Sequence, residues 1–276
     1  MSSALIGPAH PPDLHLMSFN LRRAMDGRLL PRRERWSVRS PAVGAVLHTE
    51  LPTVLGLQEA LPRSVRVVMD ALGPQQRVIG HGRGRAGRGE GTPLVYDAER
   101  LDMEFWEQRA LSDHPDVPGS RTWGNLIPRT LVRAGFRDTA TGQRFVVINT
   151  HLDPFSARSR RRSAEAIARL TAASELPVIV LGDFNADLGA TSLRPLFAAG
   201  AVSDSWVSAQ RRLTPEWGSF VGGHGPRLRG RRIDGVLTTR DVSVRAIGLN
   251  TRTMDGIRPS DHLPVQALVR LPEEGA

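Results

Sequence analysis

Short runs of apolar residues recur along the whole chain, and turn-forming residues separate them. Several runs are continuous rather than alternating, which is typical of strands that are covered on both faces. The predicted strands are 14–20, 53–57, 94–96, 130–136, 145–150, 178–181, 233–237, 242–249 and 263–271. No internal repeat with a period of about 20 to 50 residues is present.

Four helical stretches lie between some of these strands. One is predicted to start at Ser40, with Pro41 as its first helical residue, and to end near Glu50. The others are predicted over 62–72, 156–173 and 191–199. Many strands with a few helices between them indicate sheets that pack on each other with helices outside.

The composition bounds the class of protein. The chain has 276 residues, of which 40% are apolar and 24% charged, so a globular fold with a sizeable core is expected. Cysteine is absent, which excludes disulfides and thiolate metal sites. No apolar run approaches the length of a membrane span, and the first residues lack the basic and apolar regions of a signal peptide. A cytoplasmic location is therefore expected.

The net charge of +9 and the pI near 11.4 suggest a polyanionic partner such as nucleic acid. However, all 37 basic residues are arginine, so the coding bias of a GC-rich genome explains the charge equally well. Two stretches rich in glycine and arginine, 80–91 and 222–232, are predicted to be exposed loops. Both interpretations of the arginine content stay open.

Polar side chains stand where the predicted strands end. Asp183 and Asn185 follow the apolar run 178–181, and residues at i and i+2 of an extended chain point to the same side. Polar groups at the end of a buried strand are costly unless they meet partners there. Other strand ends carry Asn20, Gln58, Glu59, Asn149, His151, Asp153, Asp234, Asp261 and His262. This recurrence predicts one shared site.

The residue types at these ends suggest a metal-assisted reaction. Carboxylate and amide oxygens without cysteine favour Mg²⁺ or Mn²⁺, although the two histidines also leave zinc open. A divalent cation with imidazole and carboxylate groups is suited to phosphoryl transfer. Ser260, Asp261 and His262 do not form a hydrolase relay, because adjacent residues of an extended segment point to opposite faces.

The ordered motifs "FNLR", "GLQEA", "GEGTPLVYD", "NTHLD", "LGDFNA", "RRIDGVL" and "SDHLPV" together resemble the endonuclease/exonuclease/phosphatase superfamily. The resemblance covers about residues 14–271 and implies the DNase I-like fold. That is an α/β fold, a four-layer sandwich of two packed mixed or antiparallel β-sheets flanked by helices. Residues 1–13 are expected to be a disordered or loosely attached tail, and 272–276 a C-terminal tail.

The resemblance also implies roles around a bound Mg²⁺ or Mn²⁺. Glu59 resembles the principal metal ligand, Asn20 stands beside it, and Asp261 resembles a further acid on the metal side. Asp183 resembles the carboxylate that orients or activates the attacking water. Asn185 would hold the phosphate or that water.

Two histidines complete the implied site. His262 resembles the histidine that contacts the scissile phosphate, with Asp234 as its orienting partner. His151 resembles the second histidine, with Glu90 as the carboxylate paired to it. Arg129 is a weaker candidate for a phosphate contact, since an arginine can grip a phosphate with two hydrogen bonds. Asp153 is weaker still, because a loop-capping role explains it equally well.

The function implied is a divalent-metal-dependent phosphoester hydrolase, foremost a phosphodiesterase of nuclease type that uses in-line attack by water. One alternative is a phosphatase or phosphodiesterase on a small-molecule or lipid head-group phosphate, as in sphingomyelinase- or inositol-phosphatase-like relatives. Another is a catalytically silent binding module. Two residues depart from the family pattern: Gly235 replaces an aromatic residue, and Arg22 replaces an acid, which argues against abasic-site repair. A monomer without an obligate protein partner is expected.

Overall fold

The computed structural model describes residues 4–222 and 224–273, apart from the side chain of Ala199. Two mixed sheets stack on each other, and helices cover the outer faces. The strands are β1 (Asp13–Asn20), β2 (Val54–Gln58), β3 (Gln76–Ile79), β4 (Leu94–Asp97), β5 (Leu101–Ala110), β6 (Thr130–Asp138), β7 (Arg144–His151), β8 (Val178–Asp183), β9 (Ser203–Asp204), β10 (Arg211–Arg212), β11 (Asp234–Thr238), β12 (Ser243–Leu249) and β13 (Val265–Arg270). The α-helices are α1 (Trp36–Glu50), α2 (Pro62–Leu72), α3 (Ala157–Ala172), α4 (Arg194–Phe197) and α5 (Ser205–Ser208). The expected four-layer sandwich is confirmed.

The two sheets differ in strand order. The first runs β10-β12-β13-β1-β2-β4-β3, and the second runs β5-β6-β7-β8-β11-β9. In the first sheet β1 is parallel to β2 and antiparallel to β13. In the second, β8 is parallel to β7 and antiparallel to β11. The central strands of both sheets are buried on both faces, as their continuous apolar runs predict.

Three hydrophobic clusters hold the layers together. The largest lies between the sheets and includes Leu16, Val147 and Leu181. A second joins the outer face of the second sheet to α3 through residues such as Ile167. The third joins the first sheet to α1 and α2. Removing this apolar area from water, at about 25 cal/mol per Å², is the main force that keeps the two sheets face to face.

Edge strands are the elements that the apolar pattern did not predict. β5 pairs with β6 along its length, yet four of its ten residues are partly or fully exposed charged side chains, and Trp106 is also exposed. Charged side chains on an edge strand discourage pairing with other molecules, and they also remove the apolar signal of a strand. β3, with exposed Arg77 and Val78, escaped prediction for the same reason.

The helix boundaries contain two corrections. α1 begins at Trp36, so Pro41 lies inside the helix and is not its first residue. The carboxylate of Asp26 accepts from the backbone N–H of Ser37 at 2.8 Å, and this start signal lies ten residues outside the helix. The predicted helix 191–199 is instead divided into a 3₁₀ turn, the four-residue α4 and a second 3₁₀ turn.

The segment before β1 is attached to the domain, which corrects the expectation of a loose tail for its described part, residues 4–12. The backbone N–H groups of Leu5, Ile6 and Gly7 donate to the carboxylate of Glu50 at 2.8 to 3.1 Å. Glu50 is fully buried, and a buried carboxylate requires such donors. Residues 1–3 and 274–276 of the predicted tails lie outside the described residues.

None of the helices in the described ranges combines the length and the apolar character needed to cross a lipid bilayer.

Candidate active site

The strand register of the second sheet places three of the expected site residues side by side. Asp183, the last residue of β8, is paired with His151 at the end of β7. It is also paired with Asp234 at the start of β11. His151 Nε2 lies 3.5 Å from Asp183 Oδ2. The three side chains therefore share one end of the sandwich because the alignment of β7, β8 and β11 fixes them there.

The first sheet contributes the opposite wall of the site. Asn20, at the end of β1, donates from Nδ2 to Asp183 Oδ2 at 2.9 Å and to Glu59 Oε1 at 3.1 Å. Glu59 directly follows β2. One amide group thus joins the carboxylates of the two sheets, and Asn20 and Glu59 lie where the sequence predicted them.

Unusual backbone conformations mark the same strand ends. Arg22, Glu59 and Asn185 all have φ values between 52° and 55°, in the left-handed region. Each such residue costs on the order of 1 kcal/mol unless its surroundings fix it. These residues lie just after the ends of β1, β2 and β8. Their left-handed conformation turns the chain sharply at the site. Strain of this kind is a feature of pre-organised functional sites.

Asp183 occupies the centre of the cluster and is 1% exposed. Burial, together with the nearby carboxylate of Asp234, raises its pKa to about 7. His262 and the donors from Asn20 and the Asn185 backbone oppose that shift only in part. A carboxyl group whose pKa is near neutrality can accept a proton from water at physiological pH.

His262 stands on the segment that leads into β13. Its Nδ1 lies 2.8 Å from Asp234 Oδ2 and 3.9 Å from Asp183 Oδ2. Burial alone would lower its pKa, but the two carboxylates outweigh burial and raise the pKa to about 10. The expected pairing of His262 with Asp234 is therefore present, and the imidazole is positively charged at neutral pH.

Two sets of groups offer donors for a divalent cation. Asp183, Asp234 and His262 place one donor atom each within 4.8 Å of one another. However, His262 Nδ1 is already engaged with Asp234, and a protonated imidazole cannot bind a metal. The oxygen pair of Asn20 and Glu59 fits a hard cation better, because among the described residues the Glu59 carboxylate forms no ion pair and accepts hydrogen bonds from Asn20 Nδ2 and the Arg23 backbone N–H.

Arg129 lies beside the His151 end of the site. Its guanidinium is 3% exposed and 3.6 Å from Asp153, and its Nε and Nη1 atoms have no hydrogen-bond partner. Burial lowers its pKa to about 10, so it stays charged at neutral pH. Two unsatisfied donors on a buried cation are expensive unless an anion meets them. Arg129 thus keeps a buried positive charge with two unsatisfied donors beside His151.

One expected pairing is wrong. Glu90 does not contact His151; it forms ion pairs with Arg83 and with Arg23, the latter at 3.2 Å. His151 Nδ1 is left without any hydrogen-bond partner. The two arginines flank Glu90 and neutralise it, so its carboxylate is not available to orient an imidazole.

The remaining strand-end residues make contacts with neighbouring side chains and loops. Asp261 lies 3.6 Å from Arg22 Nε. Asn185 donates from Nδ2 to the carbonyl of Leu152, which fixes it beside Asp183. Asp153 accepts from the backbone N–H groups of Phe155 and Ser156 and so caps its loop.

Gln58 and Asn149 lie behind the site and have a structural role. Gln58 Nε2 donates to Asn149 Oδ1 at 2.8 Å, which links the two sheets. Asn149 in turn donates to the backbone carbonyls of Leu57, Thr92 and Pro93. A side chain at Gly56 would stand 2.7 Å from Asn149 Oδ1, so glycine is required there.

A profile of the Endonuclease/Exonuclease/phosphatase family matches residues 17–262. The chain belongs to this family. Its members are phosphoesterase hydrolases, and they typically use divalent metals. No curated protein matches the sequence.

Solved structures agree with the family assignment. A protein of the same family from Bacteroides thetaiotaomicron is 27% identical, with a TM-score of 0.85 over 96% of this chain and 97% of the other. A mannosyl-6-phosphatase from the same organism is 26% identical, with a TM-score of 0.82 over 93% and 99%. The zebrafish protein TDP2, solved with a single-stranded DNA product, is 17% identical and shares the fold, with a TM-score of 0.70 over 94% and 99%.

Two features of the site were not apparent in the sequence. Arg83, in the glycine-rich loop 80–91, turns inward to Glu90 and is one of the cations that lower the pKa of His151. Alternating glycine and arginine suggested only an exposed loop. Gly235, which departs from the family pattern, lies under Phe184 and Leu188; a side chain there would stand 3.1 Å from Leu188.

Proposed function

We propose that the chain hydrolyses phosphoesters by attack of a water molecule that Asp183 prepares. The supporting observation is the buried Asp183 carboxyl group between two imidazoles, with a pKa near 7. An oxygen of this group can hold a water molecule and take its proton as the water approaches phosphorus. The ideal pKa of such a base lies near the operating pH.

The charge that develops on the phosphate is met by groups that are fixed in advance. The imidazolium of His262, held by Asp234, supplies a positive charge that does not need to reorganise. Arg129 is buried, and its Nε and Nη1 atoms have no hydrogen-bond partner, so they could donate to phosphate oxygens. A divalent cation bound by Glu59 and Asn20 would supply further neutralisation of the phosphate oxygens. Asn185, which is fixed at the end of β8, would hold the attacking water or a phosphate oxygen in position.

Replacing Asp183 by asparagine tests this function. Asp183→Asn keeps the size of the side chain and removes the base, so we expect a loss of about 10²–10⁴-fold in the hydrolysis rate. Asp241→Asn, at an exposed aspartate outside the site, is the matched control and should leave the rate unchanged. Purified protein is assayed on a panel of sugar phosphates, inositol phosphates, sphingomyelin, DNA and RNA, with and without EDTA. Wild-type turnover by Asp183→Asn would rule out this role.

Small-molecule phosphate esters are the substrate class that we favour. The mannosyl-6-phosphatase relative matches nearly the whole of both chains at 26% identity. Of the two arginine-rich loops, 80–91 directs Arg83 inward to Glu90 rather than outward to a backbone. This leaves fewer free cations for nucleic acid than the sequence suggested.

Nucleic acid is the second candidate, because Arg227, Arg229 and Arg231 of the loop 222–232 are exposed. Phosphate contacts by these residues would release counterions, so KM for DNA or RNA would rise steeply with salt. Turnover of a neutral-headed small phosphate ester would change little over the same range. The salt dependence of the best substrate in the panel therefore distinguishes the two classes.

A further inference from the structure

A cavity of about 120 Å³ opens beside the active site, on the side of Asp261. Its charged lining consists of Arg22, Arg33, Glu34, Arg39, Arg258 and Asp261. Ser260 also lines the cavity, and its hydroxyl donates to the carbonyl of Asn20 at 2.7 Å. The cavity and the active site therefore share a wall.

The charges of this cavity do not balance. Arg22 engages both acids of the lining: its Nη2 lies 2.6 Å from Glu34, and its Nε lies 3.6 Å from Asp261. Arg39 is buried and donates only to backbone carbonyls, including those of Leu21 and Pro259. Its charge is left without a carboxylate in hydrogen-bond contact.

Arg33 and Arg258 remain without any acidic partner. Within residues 4–222 and 224–273, neither forms an ion pair. Arg33 is exposed at the rim, and Arg258 is half-buried. Four guanidinium groups thus face one cavity that contains two carboxylates, and both carboxylates are occupied by Arg22. The lining of the cavity therefore has a surplus of two positive charges.

The chemistry that fits this space is an oxyanion. The planar guanidinium group presents paired donors that match phosphate and carboxylate oxygens. A cavity of about 120 Å³ is large enough for a tetrahedral oxyanion.

We infer that the Arg33/Arg258 cavity binds a second anionic group of the substrate while the first phosphate is hydrolysed at Asp183. The inference rests on the proposed function and specifies its substrate class: a small molecule with two anionic groups, foremost a bisphosphate. Because Ser260 and Asp261 separate the two sites, the two groups must lie on one compact molecule. A sugar bisphosphate and a nucleoside bisphosphate both have this form.

Matched pairs of substrates test the inference. The rate of phosphate release is measured for fructose 1,6-bisphosphate against fructose 6-phosphate, and for adenosine 3′,5′-bisphosphate against adenosine 5′-phosphate. For the wild-type protein we expect kcat/KM to be about 10- to 100-fold higher for the bisphosphate of at least one pair, the worth of a hydrogen bond to a charged group. The pair that shows the preference identifies whether the substrate is a sugar bisphosphate or a nucleoside bisphosphate.

Variants of the two unpaired arginines show where the preference arises. Arg33→Gln and Arg258→Gln should remove it by raising KM for the bisphosphate, and they should leave monophosphate hydrolysis unchanged. Arg258→Lys should retain part of it. Arg245→Gln, at an exposed position of β12, is the matched control. Equal kcat/KM for both members of each pair, or an undiminished preference in both glutamine variants, would overturn the inference.

A binding measurement separates this inference from the proposed function. Inorganic phosphate should raise the Tm of the wild-type protein, and the double variant Arg33→Gln/Arg258→Gln should lose a large part of that rise. If the protein hydrolyses neither these substrates nor any ester of the panel used to test the proposed function, but the double variant reduces the shift, the cavity stands as an anion site and the proposed function fails. If the shift is the same in the double variant and in the wild type, the cavity is not an anion site.

Discussion

Two corners of the active site hold an imidazole against Asp183, and their electrostatics are opposite. In the His262 corner, between β11 and β13, the carboxylates of Asp234 and Asp183 outweigh burial and raise the pKa of the imidazole to about 10. In the His151 corner, at the end of β7, burial lowers the pKa well below 6.5, and the positive charge of Arg129 adds to that shift. Both side chains are equally buried.

The difference between the corners lies in their neighbours. His262 has a carboxylate at hydrogen-bond distance, whereas His151 has Asp183 at 3.5 Å and no partner for Nδ1. Buried imidazoles stay neutral unless an acid offsets desolvation. One corner therefore holds a fixed positive charge, which in the proposed reaction would face an anionic transition state. The other provides a neutral ring, and there the positive charge resides on Arg129.

Loss of His262 should have the larger effect of the two. His262→Ala removes a charge that is directed at the phosphate, so we expect kcat to fall about 10²–10³-fold, as for other pre-organised electrostatic groups. His48→Ala, at an exposed histidine of α1, is the control. The measurement is steady-state hydrolysis of the best substrate, with circular dichroism to verify folding. A folded His262→Ala protein with near wild-type kcat would remove the distinction between the corners.

Loss of His151 should cost less. A neutral imidazole contributes a hydrogen bond rather than a charge, so His151→Ala should lower kcat/KM about tenfold. Since its pKa lies well below 6.5, this factor should be the same at pH 7 and at pH 8.5. The ratio of variant to wild-type rates at the two pH values is the measurement. A larger loss than in His262→Ala, or a factor that changes between the two pH values, would reverse the comparison.

The motifs predicted which residues meet, because strand ends at one edge of a sandwich must be close. Asn20, Glu59, Asp183, Asp234 and His262 are joined by an unbroken series of contacts. The pairing of His262 with Asp234 also followed from family resemblance. The spacing of residues along the sequence does not show which partner a side chain on a loop contacts. Glu90 was therefore assigned to His151, although Arg83 and Arg23 hold it.

The fold was predictable to a similar degree and for similar reasons. Buried central strands carry a continuous apolar signal, so β1, β7 and β8 were found nearly to their ends. The edge strand β5 carries charges and was missed. The start of α1 depends on Asp26, whose contact is made only after the loop between them folds. Signals that come from tertiary contacts are absent from local patterns.

A third buried histidine lies outside the active site, and its effect should fall on stability and not on the rate of hydrolysis. His15 Nδ1 donates to the carbonyl of Gly7 at 2.8 Å, and Nε2 has no partner. Burial lowers the pKa of His15 to about 4, despite the opposing charge of Glu50. His15 thus shows how far burial lowers the pKa of an imidazole that has no hydrogen-bonded carboxylate. The pKa of His262, which has such a carboxylate, is compared with it.

The pH dependence of stability tests this reference. The unfolded chain takes up a proton near pH 6.5 and the folded chain only near pH 4, so the stability that neutral His15 contributes is present above pH 6.5 and lost as the pH falls toward 4. Between pH 7 and pH 5 the free energy of unfolding should fall by about 2 kcal/mol through this group. Urea unfolding at the two pH values should show a drop smaller by that amount in His15→Gln than in the wild type, while His48→Gln matches the wild type. An equal drop in all three proteins would mean that burial does not suppress protonation of His15, and the contrast between the two buried histidines would then lose its reference.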